Sequence, residues 1–281
     1  MPELPEVETI VRGLQRQIVG QTIEQITLLY EPLLHTPNEI FEKDVLGQQI
    51  VAIERFGKYI LIVLGNQKVI RVHLRMEGKF FITENEVDET IDKHVHLVFK
   101  LGKRRYLKYH DVRKFGTFEL IDRRENWHDD AKFARLGYEP WEAPFTSAFL
   151  YERMKRSRLM IKPFLLDQKT IVGLGNIYVD EVLFRTKIHP ETRTTNLGRV
   201  EADAIKGAAI AVLQKAITLG GTTIRTYHNT LGLDGMFQNE LQVHLRRGEA
   251  CLVCGTQIEK IKVGGRGTYI CPNCQKIKNK R

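Results

Sequence analysis

Four cysteines within one short stretch constrain this chain more than any other feature. "CLVCGTQIEKIKVGGRGTYICPNC" sets Cys251 and Cys254 three apart, and Cys271 and Cys274 three apart after sixteen intervening residues. Paired knuckles at that separation can close four thiolates into a tetrahedron around one Zn²⁺. Four sulfur ligands leave no open coordination position, so the expected zinc is structural. The segment between the knuckles, "KIKVGGRGTY", reads as a hairpin with a glycine-rich tip that carries Arg266. A zinc ribbon alone predicts a binding module. These are the only cysteines of the chain, so metal ligation in a reducing cytosol is favoured over disulfides.

Charge indicates what such a module would bind. Residues 151–281 hold 22 Lys/Arg against 11 Asp/Glu, whereas residues 1–150 hold 21 against 23. A basic half joined to a neutral half favours a polyanion, most simply nucleic acid. No apolar run approaches the ~20 residues of a membrane span. The acidic N-terminus lacks the basic start and apolar core of a secretory signal, so a cytoplasmic, nucleoid-associated protein is expected.

Periodicity divides the chain. Val7, Ile10, Val11, Leu14 and Ile18 follow one helix face, with Pro5 in the first turn. Strand-like stretches follow: "TIEQITLLY", "IVAIERFGKYILIVL", "KVIRVHL", "HVHLVFKL", "RYLKYH" and "GTFELI". Many short strands without intervening helices predict a sandwich or barrel. Beyond "YEPWEAPFTS", a linker by composition, "TSAFLYERMKRS" and "RVEADAIKGAAIAVLQKAITLGG" read as helices, and "IVGLGNIYVDEVLF" as helix, glycine turn, helix. Asn176 is expected to cap the helix that follows Gly175, where free N–H groups also make an anion site. The reading is α+β with two domains: a β-sandwich with its leading helix over 1–135, a linker at 136–148, a helical domain over 149–240 and a zinc finger over 245–281.

The residues then converge on a family. "PELPEVET" at the start, "GKY" at 57–59, "DVRKFG" at 111–116, "GLGNIY" at 173–178, "GGTTIRTY" at 220–227 and the terminal zinc ribbon occur in one order. Together they closely resemble the bacterial formamidopyrimidine-DNA glycosylases, also called 8-oxoguanine DNA glycosylases, over essentially the whole chain. Leu4 and the run "EVET" favour this branch over endonuclease VIII, which has glycine after "PE".

The resemblance implies a monomeric bifunctional enzyme acting on duplex DNA that contains oxidised purines or abasic sites. It would remove the base and then cut the strand by β,δ-elimination. Its fold would be a β-sandwich, a helix-two-turn-helix domain and a zinc finger. After loss of Met1, the secondary amine of Pro2 would be the nucleophile, Glu3 the acid at the opening sugar, and Glu6 a group that orients water or the amine. Lys58 and Arg266, counted among the catalytic residues, would hold phosphates together with His73 and Asn176, and Lys162 would lie near the damaged base or its backbone. Met76, Arg113 and Phe115 would fill the gap left by a flipped nucleotide, with Arg113 on the orphaned cytosine. Glu77, Thr223 and Tyr227 would line the lesion pocket.

Plainer roles are open for many of these. Glu3 and Glu6 complement a helix dipole, Met76 and Phe115 would suit a core, and Asn176 a helix corner. A non-catalytic DNA binder and a pyrimidine-specific relative are the competing functions. Nine histidines include no H-E-x-x-H, so a zinc hydrolase is not supported.

Overall fold

Helix α1 (Leu4–Ile18) forms where the apolar spacing places it, and Val7, Ile10, Val11, Leu14 and Ile18 are all buried. Pro5 sits in its first turn, where a missing N–H costs no hydrogen bond. The computed structural model describes residues 1–85, 92–102, 104–222 and 235–279. The chain divides into two units, Met1–Asp130 with Thr222–Gly235, and Ala131–Gly221 with Met236–Arg281.

In the first unit, α1 leads into β1 (Ile23–Leu28), α2 (Asn38–Val45), β2 (Ile50–Phe56), β3 (Tyr59–Leu64), β4 (Lys68–His73), β5 (Lys79–Thr83), β6 (Val95–Leu101), β7 (Arg105–His110) and β8 (Thr117–Asp122). The strands form two antiparallel four-stranded sheets, ordered β1-β6-β7-β5 and β2-β3-β4-β8. Both contribute to one core: Ile23, Leu97, Phe99 and Leu107 from the first, Ile53, Ile60, Ile62 and Ile70 from the second, with the apolar face of α1. The run 50–64 is two strands, because Phe56 pairs with Tyr59 and Gly57-Lys58 is the hairpin turn between them. In β3 every residue after Tyr59 is buried, so it reads as a continuous apolar run rather than an alternating one.

Two elements go beyond the sequence reading. Edge strand β5, "KFFIT", buries only Phe80 and shows no alternation. The eight-residue α2 buries only Phe41 and Val45.

The second unit holds α3 (Ser147–Lys155), α4 (Ile161–Leu166), α5 (Asn176–Arg185) and α6 (Arg199–Thr218), with α5 packed on both α4 and α6. Thr146 caps α3 by accepting the Phe149 N–H. Residues 136–148 lie within this unit, and Tyr138 bridges to Ile171. That bridge corrects one expectation: the residues just before the glycine turn are extended, and the preceding helix, α4, ends at Leu166. The unit closes with the hairpin β9 (Glu259–Val263) and β10 (Arg266–Ile270). Its turn, Gly264-Gly265, has φ of +55° and +78°, a pair of left-handed positions that only glycine occupies cheaply in a two-residue hairpin. A Cβ on Gly264 would also lie 2.6 Å from Pro163 of α4, so the hairpin tip seats directly on that helix.

Candidate active site and zinc centre

At the start of the first unit, Pro2 and Glu3 are buried, Glu3 at 2% exposure. Glu6, in the first turn of α1, is the organiser. One carboxylate oxygen accepts the Glu3 N–H at 2.8 Å. The other accepts the N–H of Thr222 at 2.8 Å and its hydroxyl at 3.0 Å, from a residue 216 positions further along the chain. Three donors on one buried carboxylate hold "PELPE" and the beginning of "GGTTIRTY" together. The next residues of that motif, Thr223 and Tyr227 included, lie outside the described residues.

Lys58 occupies the tip of the β2–β3 hairpin and is 7% exposed. Its neighbour Tyr59 pairs across the sheet with His73, the rings meeting edge-on at 4.7 Å. His73 is also buried, and its Nδ1 accepts the Arg75 N–H at 3.0 Å. Burial first, then the positive charges of Arg75, Lys58 and Arg71, push its pKa down to about 3. His73 is therefore neutral near pH 7, with Nε2–H as its remaining donor; it can donate one hydrogen bond but brings no charge.

Met76 and Glu77 lie on the turn after β4, both partly buried. Arg113 and Phe115 project from the loop between β7 and β8. The Arg113 guanidinium lies 4.7 Å from the Phe115 ring centre, and Phe115 is 52% exposed. An aromatic held half in water on a loop is unsuited to core packing, which removes the plain reading for Phe115.

In the second unit, Asn176 is the first residue of α5, and Gly175 holds the cap position. This corrects the expected cap: the Asn176 Nδ2 donates instead to the Gly267 carbonyl at 3.0 Å. Its Oδ1 is buried with no hydrogen-bond partner among the described residues.

Lys162 also departs from expectation. It is fully buried, with its ammonium 2.6 Å from Asp180 Oδ1 and 3.3 Å from the Gly267 carbonyl. Enclosed this way, it holds the β10 backbone. Asp180 Oδ2 accepts the Tyr269 N–H at 3.2 Å and faces His244 Nδ1 at 2.8 Å. The adjacent Glu181 accepts the N–H groups of Gln242, Val243 and His244. Burial raises its pKa, and those three backbone donors oppose the rise. Asp180, Glu181 and His244 were not singled out in the sequence. Two adjacent acids inside the apolar "IYVDEVLF" were the available signal, because acids are rarely buried unless paired. Arg266 opens β10 and is exposed, its hairpin fixed from below by Lys162, Asn176 and Asp180.

The metal ligands meet the geometric test for zinc. The four sulfurs lie within 4.8 Å of one another, with Cys254 3.5 Å from both Cys271 and Cys274, and Cys251 4.0 Å from Cys274. Zn–S bonds of about 2.3 Å place tetrahedral sulfurs about 3.8 Å apart. The Val253 and Cys274 N–H groups point at Cys251 and Cys271 sulfur, each at 3.4 Å, as expected for knuckles that stabilise thiolates. Among the described residues no other group of His, Cys, Asp or Glu is placed to hold a metal.

Three family models match in the order of these parts: the formamidopyrimidine-DNA glycosylase N-terminal domain over 1–118, its H2TH domain over 136–228, and the zinc finger found in FPG and IleRS over 248–277. The chain belongs to the formamidopyrimidine-DNA glycosylase family. It is thus a DNA-repair enzyme, a glycosylase with lyase activity at abasic sites, and its four cysteines are the zinc-finger ligands.

A formamidopyrimidine-DNA glycosylase of Streptococcus thermophilus (strain CNRZ 1066) is 46% identical over 278 residues, covering 98% of this chain and all of that one. The solved structure of MutM in complex with carbocyclic 8-oxo-G containing DNA aligns with a TM-score of 0.90 at 43% identity, over 98% of this chain and 100% of that one. A Lactococcus lactis Fpg complex with DNA containing an abasic site aligns with a TM-score of 0.88 at 42% identity, with the same coverage. Among the described residues no helix is long and apolar enough to cross a membrane.

Proposed function

We propose that this enzyme, acting as a monomer on chromosomal DNA in the cytoplasm, removes 8-oxoguanine and formamidopyrimidines from duplex DNA. It then cuts the strand at the abasic site by β,δ-elimination. The observation that carries the reading is the Glu6 carboxylate. It holds the Pro2–Glu3 end and the start of the "GGTTIRTY" motif in one buried hydrogen-bonded cluster. A helix-end charge needs neither the burial nor the distant partner.

With Met1 removed, the Pro2 nitrogen attacks C1′ of the flipped nucleotide. The glycosidic bond breaks and the base leaves with its electron pair and a proton. Glu3, the next residue, protonates the ring oxygen as the sugar opens. The iminium formed on Pro2 acidifies the C2′ proton. Loss of that proton expels the 3′ phosphate, and a second elimination expels the 5′ phosphate. An α-amino group titrates near ~8 and a lysine near ~10.4, so the chain end is the better nucleophile at neutral pH.

Lys58 and Arg266 bring charge to phosphates, and His73 and Asn176 bring neutral N–H donors. Lys162 positions the Arg266 hairpin. Met76, Arg113 and Phe115 fill the vacated stack, and Glu77 faces the lesion. Bound zinc supplies structural cross-linking of the finger.

Borohydride reduction during turnover on 8-oxoguanine duplex tests the nucleophile. A covalent DNA adduct is expected on the N-terminal peptide that begins at Pro2. An adduct on an internal lysine, or none despite base release, would contradict the assignment.

A further inference from the structure

The two loops that carry Met76, Arg113 and Phe115 share a scaffold that bond cleavage does not require. Asp111 is fully buried. Its Oδ1 accepts the Arg113 N–H at 3.0 Å, and its Oδ2 accepts those of Phe115 at 3.0 Å and Gly116 at 2.8 Å. Three backbone donors converge on one carboxylate and wrap the loop around it, each bond strengthened by the charge. The wrap includes a left-handed turn at Lys114, φ +56°, whose N–H returns to the Asp111 carbonyl at 3.2 Å. The Asp111 backbone is itself anchored to β6 and its approach: its N–H donates to the His94 carbonyl at 3.0 Å, and its carbonyl lies 2.8 Å from His96 Nε2.

Tyr109 joins this loop to the other. It is fully buried between Phe80 and Phe118, with ring centres 5.5 and 4.8 Å away, and its hydroxyl lies 3.4 Å from Asp111 Oδ2. A Cβ on Gly116 would stand 1.6 Å from that hydroxyl oxygen, and one on Gly78 would stand 2.3 Å from it. The tyrosine tip therefore rests on the bare backbone of both loops at once. Gly78 closes the turn that bears Met76, donating its N–H to the Leu74 carbonyl at 3.0 Å.

We propose that Asp111 and Tyr109 are positioning residues that lock the Met76 turn and the Arg113–Phe115 loop into one preformed probe for the base stack. A loose loop would lose conformational freedom each time it entered DNA, whereas a loop already fixed loses little. Both glycines follow from the same packing, since any side chain at 78 or 116 would displace the tyrosine. This inference rests on the reading of the enzyme as an oxidised-purine glycosylase.

The test is single-turnover release of 8-oxoguanine by Asp111→Asn and Tyr109→Phe on two duplexes. In one the lesion faces cytosine; in the other it faces an abasic position, where no opposite base has to be met and the stack is already interrupted. Asp111→Asn presents an NH₂ to backbone donors and is expected to be about 10- to 100-fold slower on the cytosine duplex, the scale of misplacing a positioning group. On the interrupted duplex it should come within about threefold of the unaltered enzyme, because the probe is then hardly needed. Tyr109→Phe should show the same pattern with a smaller deficit. Equal loss on both duplexes, or normal rates on cytosine for both variants, would overturn the proposal. Failure of the unaltered enzyme to release 8-oxoguanine from the cytosine duplex would overturn the parent reading instead.

Discussion

The two units share one device for fixing their functional groups and differ in a second. In the first, single carboxylates bind backbone N–H groups: Glu6 takes those of Glu3 and Thr222, and Asp111 those of Arg113, Phe115 and Gly116. The cluster around His73 is kept partly uncharged, since burial and neighbouring cations hold that ring neutral. In the second, Glu181 likewise takes the N–H groups of Gln242, Val243 and His244, but charges are also sealed together: Lys162 on Asp180 inside the helices, and four thiolates in the finger. The first unit shapes loops, whereas the second fixes one hairpin that carries the exposed Arg266. Hydrogen bonds to backbone tolerate small movements, but a buried ion pair or a metal centre either holds or fails.

The largest expected effect comes from removing zinc. Metal binding and folding are coupled in units this small, so chelation should abolish duplex binding and disorder the hairpin. The first unit has its own core, and its β-sheet circular dichroism should persist. Simultaneous loss of both signals would erase the contrast between the units.

Breaking the buried pair should act next. Lys162→Met leaves buried Asp180 with only His244 and the Tyr269 N–H as partners, and should cost up to about 3 kcal/mol. Lys162→Met with Asp180→Asn removes both charges, keeps an acceptor for the Tyr269 N–H and should recover part of that loss. Thermal unfolding checks the order, and a single variant as stable as the original would show that Asp180 does not rely on Lys162.

The effect at His73 appears only as pH falls below about 6.5. Its folded pKa is about 3, against an ordinary 6.5, so the unfolded chain binds this proton first as pH falls. Stability from His73 is fully present above about 6.5 and drains as pH drops toward about 3. His73→Gln should therefore flatten the stability profile between those values, as followed by denaturant titration at several pH values. An unchanged slope would mean that the ring is not held neutral in the folded protein.

What was legible in the sequence follows the same division. Cysteine spacing identified the metal set because ligation needs only residue type and separation. The face of α1 and most strands were legible because periodicity reports burial directly. Strand β5 was not, since an edge strand with one buried residue has no alternation to read. Asp111 and Asp180 were passed over although they sit inside quoted motifs. Asp180 is identified only by partners from elsewhere in the chain, since neither His244 nor Tyr269 is near it in sequence; the donors to Asp111 are nearby backbone N–H groups, which residue type does not reveal. Asn176 looked like a cap because the local pattern fits one; the Gly267 carbonyl, 91 residues away, claimed its amide instead.

The most direct test of the account is Glu3→Gln on two substrates. The substitution keeps the shape beside Pro2 but has no carboxylic proton to give. Release of intact 8-oxoguanine needs that proton as the sugar opens, and a positioned acid contributes about 10²–10⁴-fold. A preformed abasic site has already lost its base and asks far less of the acid. The account predicts near-complete loss of 8-oxoguanine excision with measurable cutting, and borohydride trapping, at the abasic site. Excision of 8-oxoguanine at the unaltered rate would reduce Glu3 to a helix-end charge and contradict the catalytic reading of the N-terminus.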